Sequence, residues 1–116
     1  MNLQTINDIA SELFDALNQQ KIIQPLTDRY PEIDINDAYQ ISRKFLSLRE
    51  SSGEKVVGKK IGVTSSVVQE MLGVDQPDFG FLTDTMKVQN RSSFSIKDSL
   101  IQPRAEAEIA FILKED

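Results

Sequence analysis

The run from Ala105 to Leu113 constrains the fold of this chain most strongly, because small or apolar residues alternate with acidic ones at its start. Side chains on a β-strand point alternately to the two faces of the sheet. One face of a strand here would carry Ala105, Ala107, Ile109, Phe111 and Leu113. The opposite face would carry the carboxylates Glu106 and Glu108. A strand of this kind expects hydrogen-bonded neighbours, so the run predicts a sheet.

The two carboxylates are candidate metal ligands. Adjacent acids on a half-buried strand repel each other and lose solvation when they are covered. A divalent cation that prefers oxygen ligands would relieve both costs. The alternative is a solvent-facing strand edge, on which Arg104 and Glu106 form a surface ion pair of little energetic value. Spacing alone leaves both interpretations open.

Composition excludes several classes of chemistry. The 116 residues contain neither Cys nor His, which removes disulfides, cysteine nucleophiles and the imidazole acid/base. Any chemistry must use carboxylates, Lys, Tyr, Ser/Thr or a metal. The net charge is −5 and the basic residues are dispersed, so we expect no nucleic-acid partner. Without a signal pattern or an apolar run of ~20 residues, we expect no membrane association and a cytoplasmic location.

The predicted elements are helices first and strands later. Helical spacing of apolar residues predicts a helix over 3–20, capped by Thr5 and Asp8. A second helix should begin at Asp34, with Asp37 as its N3 residue, and should end near Gly53.

Strands and a short helix should follow. The predicted strands cover residues 56–63, 79–83, 93–96 and 105–113. A short helix is predicted at 67–72, capped by Thr64 or Ser65 and closed by Gly73. This order indicates an α+β fold, with a helical cap over residues 1–54 and a β-rich unit over 55–116.

The first predicted strand carries a lysine between two glycines. Gly58, Lys60 and Gly62 share one face, and glycine within a strand often marks the close approach of a ligand or another backbone. This face, the glycine trough, would hold one cation at its centre and would suit a small carboxylate. The alternative is that the glycines mark a bulge and that Lys60 reaches solvent. Asp78 lies in Gln76-Pro-Asp-Phe-Gly80, a segment typical of a turn.

Long motifs over nearly the whole chain resemble one enzyme family. The matching segments are Asp37–Tyr39, Val57–Ser65, Val68–Gln69, Met71–Gly80, Leu82–Asp84 and Leu100–Phe111. Together they closely resemble the 2-oxopent-4-enoate hydratases (2-hydroxypenta-2,4-dienoate hydratases) of aromatic meta-cleavage pathways, which belong to the fumarylacetoacetate-hydrolase-like superfamily. The resemblance implies a helical cap followed by the first strands of a mixed β-barrel or roll, truncated because family members are much longer.

The resemblance also implies an activity and residue roles. The enzyme would be a hydro-lyase that adds water to 2-hydroxypenta-2,4-dienoate and gives 4-hydroxy-2-oxopentanoate. Glu106 and Glu108 would be two of the carboxylate ligands to Mg²⁺ or Mn²⁺, which acts as a Lewis acid. Lys60, Ile61 and Gly62 would bind the substrate. Lys60 would also support proton transfer, and Asp78 would be the catalytic acid/base.

Partners and alternatives follow from the same resemblance. It implies a small 2-oxo or 2-hydroxy dienoate substrate, a homo-oligomer, and contact with a pathway aldolase or decarboxylase. The sister 4-oxalocrotonate decarboxylases share the Glu-x-Glu pair, but they tend to have Leu-Lys-Met-Gly in place of residues 59–62 and lack the Gln76–Gly80 segment, which favours the hydratase. A non-catalytic assembly module is the other alternative. Because a further metal ligand is missing, we expect the 116-residue chain alone to be inactive.

Overall fold

The structure is a computed structural model that describes residues 1–114. Its helices are α1 (Leu3–Asn18), α2 (Leu26–Arg29), α3 (Ile35–Ser51), α4 (Ser66–Leu72) and α5 (Ile96–Ser99), with a 3-10 turn at Asp84–Met86. Its strands are β1 (Val56–Gly62) and β2 (Asp78–Thr83). The fold is therefore a mixture of helix and strand, as predicted. The division at residues 54 and 55 stays a prediction, and the last two residues of the second unit lie outside the described residues.

Helix α1 begins earlier than its predicted cap. The side-chain oxygen of Asn2 accepts a hydrogen bond from the backbone N–H of Thr5 at 2.8 Å, so Asn2 is the N-cap residue. The prediction that Thr5 and Asp8 cap this helix is wrong. Asn is a better N-cap than Thr, and starting at Leu3 places Thr5 and Asp8 inside the helix.

Helix α3 begins as predicted. Asp34 accepts a hydrogen bond from the backbone N–H of Asp37 at 2.8 Å, and the Asp37 carboxylate accepts one from the backbone N–H of Asp34. This reciprocal pair satisfies two N–H groups that have no partner within the helix. Asp37 also accepts a hydrogen bond from the Met1 ammonium group at 2.9 Å, which ties the start of the chain to α3.

The hydrophobic core lies between α1 and α3. Its buried members are Ile6, Ile9, Ala10 and Ile41. Around them pack Leu13, Leu26, Tyr30, Ile33, Phe45 and Leu48. Helix α2 is held against α1 by a two-bond contact between the Arg29 guanidinium and the Glu12 carboxylate, at 2.7 and 2.8 Å.

Strands β1 and β2 form an antiparallel pair. The register runs from Val56 opposite Thr83 to Gly62 opposite Asp78, with an irregularity between Val56 and Gly58. The connection contains α4, which Ser65 caps and Gly73 closes in the left-handed conformation (φ +69°). The predicted strands at 56–63 and 79–83 and the short helix at 67–72 are confirmed to within a residue or two.

Helix α3 contacts β2 at both ends of the strand. The Tyr39 hydroxyl accepts a hydrogen bond from the backbone N–H of Phe79 at 3.2 Å. The Arg49 guanidinium donates to the Thr83 hydroxyl at 3.1 Å. We call these contacts the two α3–β2 anchors. Phe79 and Thr83 lie on the same face of β2, because side chains two or four residues apart share a face.

Two predicted strands are wrong. Residues 93–96 lead into α5, and the Ser95 hydroxyl donates to the Asp98 carboxylate at 2.6 Å. Residues 105–113 form no strand, and Ile109, Phe111 and Leu113 are 76–85% exposed. A strand exists only beside a hydrogen-bonded neighbour. Within residues 1–114, β1 and β2 pair with each other, and no other strand lies beside 105–113.

Candidate active site

The β1–β2 register brings Lys60 and Asp78 to one face of the sheet. Lys60 lies opposite Gly80, and Gly62 lies opposite Asp78. Directly opposed residues share a face, so Lys60 and Asp78 are diagonal neighbours. The glycine trough thus includes Gly80, which the sequence analysis missed. In the sequence, Gly80 was visible only as the last residue of the Asp-Phe-Gly tripeptide. Without the strand register, it could not be assigned to the same sheet face as Lys60.

Gly62 leaves room for the Asp78 carboxylate. A Cβ atom built on Gly62 would collide with Oδ1 of Asp78. A Cβ atom on Gly58 would meet only the side chain of Leu82, at an ordinary contact distance of 3.6 Å. Gly62 is therefore required for the observed orientation of Asp78, whereas Gly58 is not.

Gly62→Ala should reorient Asp78 without destabilising the fold. The colliding atom is the end of an exposed, rotatable side chain, so we expect the free energy of unfolding to change by less than about 1 kcal/mol. The carboxyl ¹³C chemical shift of Asp78 should change in Gly62→Ala and stay unchanged in the matched control Gly58→Ala. An unchanged shift in both variants would show that Gly62 does not position Asp78.

Lys60 joins the acidic pair to this face. Its ammonium nitrogen lies 3.8 Å from a carboxylate oxygen of Glu106 and 3.5 Å from one of Glu108. All three side chains are 47–68% exposed, so these ion pairs contribute little to stability. The cationic partner of Glu106 is thus Lys60, not the Arg104 of the surface-pair interpretation.

The other predicted substrate-binding residue lies elsewhere. Ile61 is opposite Phe79 and shares the sheet face that α3 approaches, while Lys60 and Gly62 share the opposite face. The side chain of Ile61 is therefore not brought together with the charged groups. Among the five charged or glycine residues predicted for the site, the structure groups Lys60 with Glu106 and Glu108, and Gly62 with Asp78.

The acidic pair fits a divalent cation by its chemistry. Glu106 and Glu108 already converge on one positively charged group, and carboxylate oxygens are the ligands that Mg²⁺ and similar hard cations prefer. Two carboxylates are only part of a ligand set. Within residues 1–114, no three or more Asp or Glu side chains are grouped so as to hold a metal ion.

Two residues outside the predicted site support its position. Tyr39 and Arg49 hold β2 against α3, and sequence reasoning assigned neither of them a role. Tyr39 ends the motif Asp37-Ala-Tyr39, which was the available signal. For Arg49, the one sequence feature that indicated a role was the nearby acid Glu54, which it contacts at 2.7 Å.

Among the described residues, no helix combines the length and apolarity needed to cross a membrane.

Solved structures of a related enzyme share this fold. The 4-oxalocrotonate decarboxylase of Pseudomonas putida G7, complexed with magnesium and adipate, matches with a TM-score of 0.70 and 29% identity. The match covers 73% of this chain and 32% of that one. The same enzyme complexed with calcium and acetate matches with a TM-score of 0.71 and 29% identity, covering 73% of this chain and 33% of that one.

Curated relatives match by sequence, although no protein-family model does. The chain is 55% identical over 114 residues to a 2-hydroxyhexa-2,4-dienoate hydratase of Comamonas testosteroni, covering 97% of this chain and 43% of the relative. It is 53% identical over 116 residues to a 2-hydroxypent-2,4-dienoate hydratase of Pseudomonas putida, covering 100% of this chain and 52% of the relative. The resemblance found in the motifs is thereby confirmed. The chain spans about half the length of these curated relatives, and over that span it is homologous to the 2-hydroxydienoate hydratases, which are hydro-lyases.

Proposed function

We propose that the protein carrying this sequence adds water to a short 2-hydroxy-2,4-dienoate, with 2-hydroxypenta-2,4-dienoate as the substrate and 4-hydroxy-2-oxopentanoate as the product. The observation that carries the proposal is the glycine trough, on which Lys60 and Asp78 are diagonal neighbours and Lys60 reaches Glu106 and Glu108. The names of the hydratase relatives support this substrate class.

Lys60 binds the carboxylate of the substrate. Its ammonium group is half exposed and held only by solvent-screened ion pairs, so it can exchange a protein carboxylate for a substrate carboxylate at little cost. Gly62 and Gly80 present bare backbone beside it. A flat conjugated acid can therefore lie against the strand pair, which side chains at these positions would prevent.

Asp78 moves the proton. As a carboxylate it accepts the proton of the substrate's 2-hydroxyl group, and as a carboxylic acid it returns a proton to the terminal diene carbon. The product of this step is a 2-oxo-3-enoate. Water then adds across the remaining double bond, with its hydroxyl on the carbon farther from the ketone and its hydrogen on the nearer carbon. No imidazole is required, in keeping with a sequence that has no His.

Glu106 and Glu108 would hold Mg²⁺ or Mn²⁺. The decarboxylase structures complexed with magnesium or calcium support a divalent cation in this fold. When bound, the ion would polarise the substrate's 2-oxo group as a Lewis acid. Self-association, and contact with an aldolase or decarboxylase of the same pathway, stay predictions.

The test is a direct comparison of two reactions. The protein, expressed from its complete reading frame, is incubated with 2-hydroxypenta-2,4-dienoate and Mg²⁺ or Mn²⁺. We expect the dienol absorbance to fall and 4-hydroxy-2-oxopentanoate to form. The second candidate function is 4-oxalocrotonate decarboxylation, which is favoured by the structural similarity to the solved 4-oxalocrotonate decarboxylase. Release of CO₂ from 4-oxalocrotonate without hydration of the dienoate would reject the hydratase.

A further inference from the structure

A cavity of about 350 Å³ lies between α3 and β2. Tyr39 and Arg49 make the two α3–β2 anchors, and the cavity opens beside the Tyr39 anchor. It faces the sheet surface that carries Phe79 and Phe81. The backbone of Gly80 is common to this cavity and to the glycine trough, but the side chains of the proposed active site lie on the other surface of the same sheet, so the cavity is a separate feature of the molecule.

The cavity walls combine aromatic rings with positive charge. Phe79 and Phe81 provide apolar surface, and Phe79 is 58% exposed. Lys59, which lies opposite Phe81 in the register, and Arg43 from α3 provide two cations. Neither cation forms an ion pair with a carboxylate among the described residues.

These walls are unusual for a chain with a net charge of −5. Two unpaired cations in one cavity repel each other, and an anion bound between them would relieve that repulsion. The exposed aromatic surface beside them gains free energy when an apolar group covers it. A cavity of this volume lies within the size range of small-molecule sites. The Tyr39 and Ser42 hydroxyl groups at its α3 side add hydrogen-bonding capacity for an oxygen ligand.

We propose that this cavity is a second binding site, for a small carboxylate with a flat, conjugated or aromatic body. The carboxylate pairs with Arg43 and Lys59, and the body packs on Phe79 and Phe81. A bare inorganic anion would leave the aromatic surface uncovered, and a neutral aromatic molecule would leave the two cations unpaired. Both are therefore expected to bind more weakly than an aromatic carboxylate.

The probe for the test is benzoate, followed by NMR. We expect saturable chemical-shift changes in the ring signals of Tyr39 and Phe81, and intermolecular NOEs between these rings and benzoate. The double variant Arg43→Gln/Lys59→Gln should bind benzoate at least about tenfold more weakly, because it loses two charge-assisted contacts. Lys44→Gln, on α3 but outside the cavity, is the matched control and should bind like the unsubstituted protein. Benzamide, the neutral counterpart, should bind more weakly than benzoate.

Two results would overturn the proposal: equal benzoate affinity in the double variant, or benzoate NOEs confined to the side chains of Lys60 and Asp78. Arg43 and Lys59 are exposed, so the double variant should fold, and its NMR spectrum without benzoate verifies this. The readout needs neither substrate nor turnover. A protein without hydratase activity can thus still support the second site, and an active hydratase can still lack it.

Discussion

Glu106→Gln and Glu108→Gln are each expected to weaken Mn²⁺ or Mg²⁺ binding by about 100-fold or more, since changes even to groups that only support metal ligands cost 10–100-fold. A neutral amide oxygen attracts a divalent cation less than a carboxylate does, and the shape of the side chain is retained. Both carboxylates are exposed, so the free energy of unfolding should not change. Isothermal titration with Mn²⁺ measures the affinity, and hydration of the dienoate should be lost in parallel.

Glu70→Gln is the matched control, because Glu70 is an exposed carboxylate on α4 that belongs neither to the acidic pair nor to the glycine trough. A second variant tests the position of the ion. Lys60→Met removes the ammonium group that Glu106 and Glu108 now share, so Mn²⁺ affinity should rise while substrate binding falls. Unaltered Mn²⁺ affinity in both glutamine variants would remove Glu106 and Glu108 from the ligand set.

Arg49→Met should lower the free energy of unfolding by about 2–4 kcal/mol, because it leaves a largely buried carboxylate without its charged partner. Arg49 is 9% exposed and contacts Glu54, which is 15% exposed, at 2.7 Å. The guanidinium also donates to Thr83, which is almost completely buried, and lies over the Phe45 ring at 5.7 Å. Urea unfolding measures the loss.

The double variant Arg49→Met/Glu54→Gln is the control for the unpaired charge. Glutamine keeps the shape of Glu54 without its charge, so the double variant should be more stable than Arg49→Met alone. If Arg49→Met unfolds at the same urea concentration as the unsubstituted protein, the contacts of Arg49 with Glu54 and Thr83 do not stabilise the fold.

The same pair gives a pH dependence. Burial by itself would raise the pKa of Glu54, but hydrogen bonds from Arg49, Thr83 and Thr85 outweigh it, and the pKa lies below its usual value. The pair's contribution to stability is therefore complete above the unfolded-state pKa of about 4.3. It is lost as the pH falls below that value through the lower folded-state pKa. Stability should fall less steeply in acid for Glu54→Gln than for the unsubstituted protein.

Local sequence signals predicted the elements that local contacts stabilise. The capping box of Asp34 and Asp37 identified the start of α3. Gly73 identified the end of α4, and its start was narrowed to Thr64 or Ser65, of which Ser65 is the cap. In each case the residue and its hydrogen-bond partner are close in sequence, so the signal and the structure coincide. The misplaced cap of α1 shows the limit of this, because Asn2, Thr5 and Asp8 are all plausible caps and only one is used.

Contacts between distant residues were not predictable. Lys60 and Glu108 are 48 residues apart in the sequence, and no local sequence pattern predicts that their side chains are in contact. The alternation over 105–113 describes which faces a strand would have, but not whether a neighbouring strand is there to pair with it. The pairing of Gly62 with Asp78 also required the register, and the connection from residue 63 to 77 contains a helix rather than a tight turn that would define it.

The two α3–β2 anchors explain how that register is held despite the long connection. Tyr39 and Arg49 are ten residues apart, about 15 Å along a helix, and Phe79 and Thr83 are four residues apart, about 14 Å along a strand. A slip of β2 by one residue would turn Asp78 to the other face and break both anchors. Because α3 fixes the lengthwise position of β2, insertions and deletions in the tip of the 63–77 connection should be tolerated during evolution without displacing Asp78 from the face that carries Lys60.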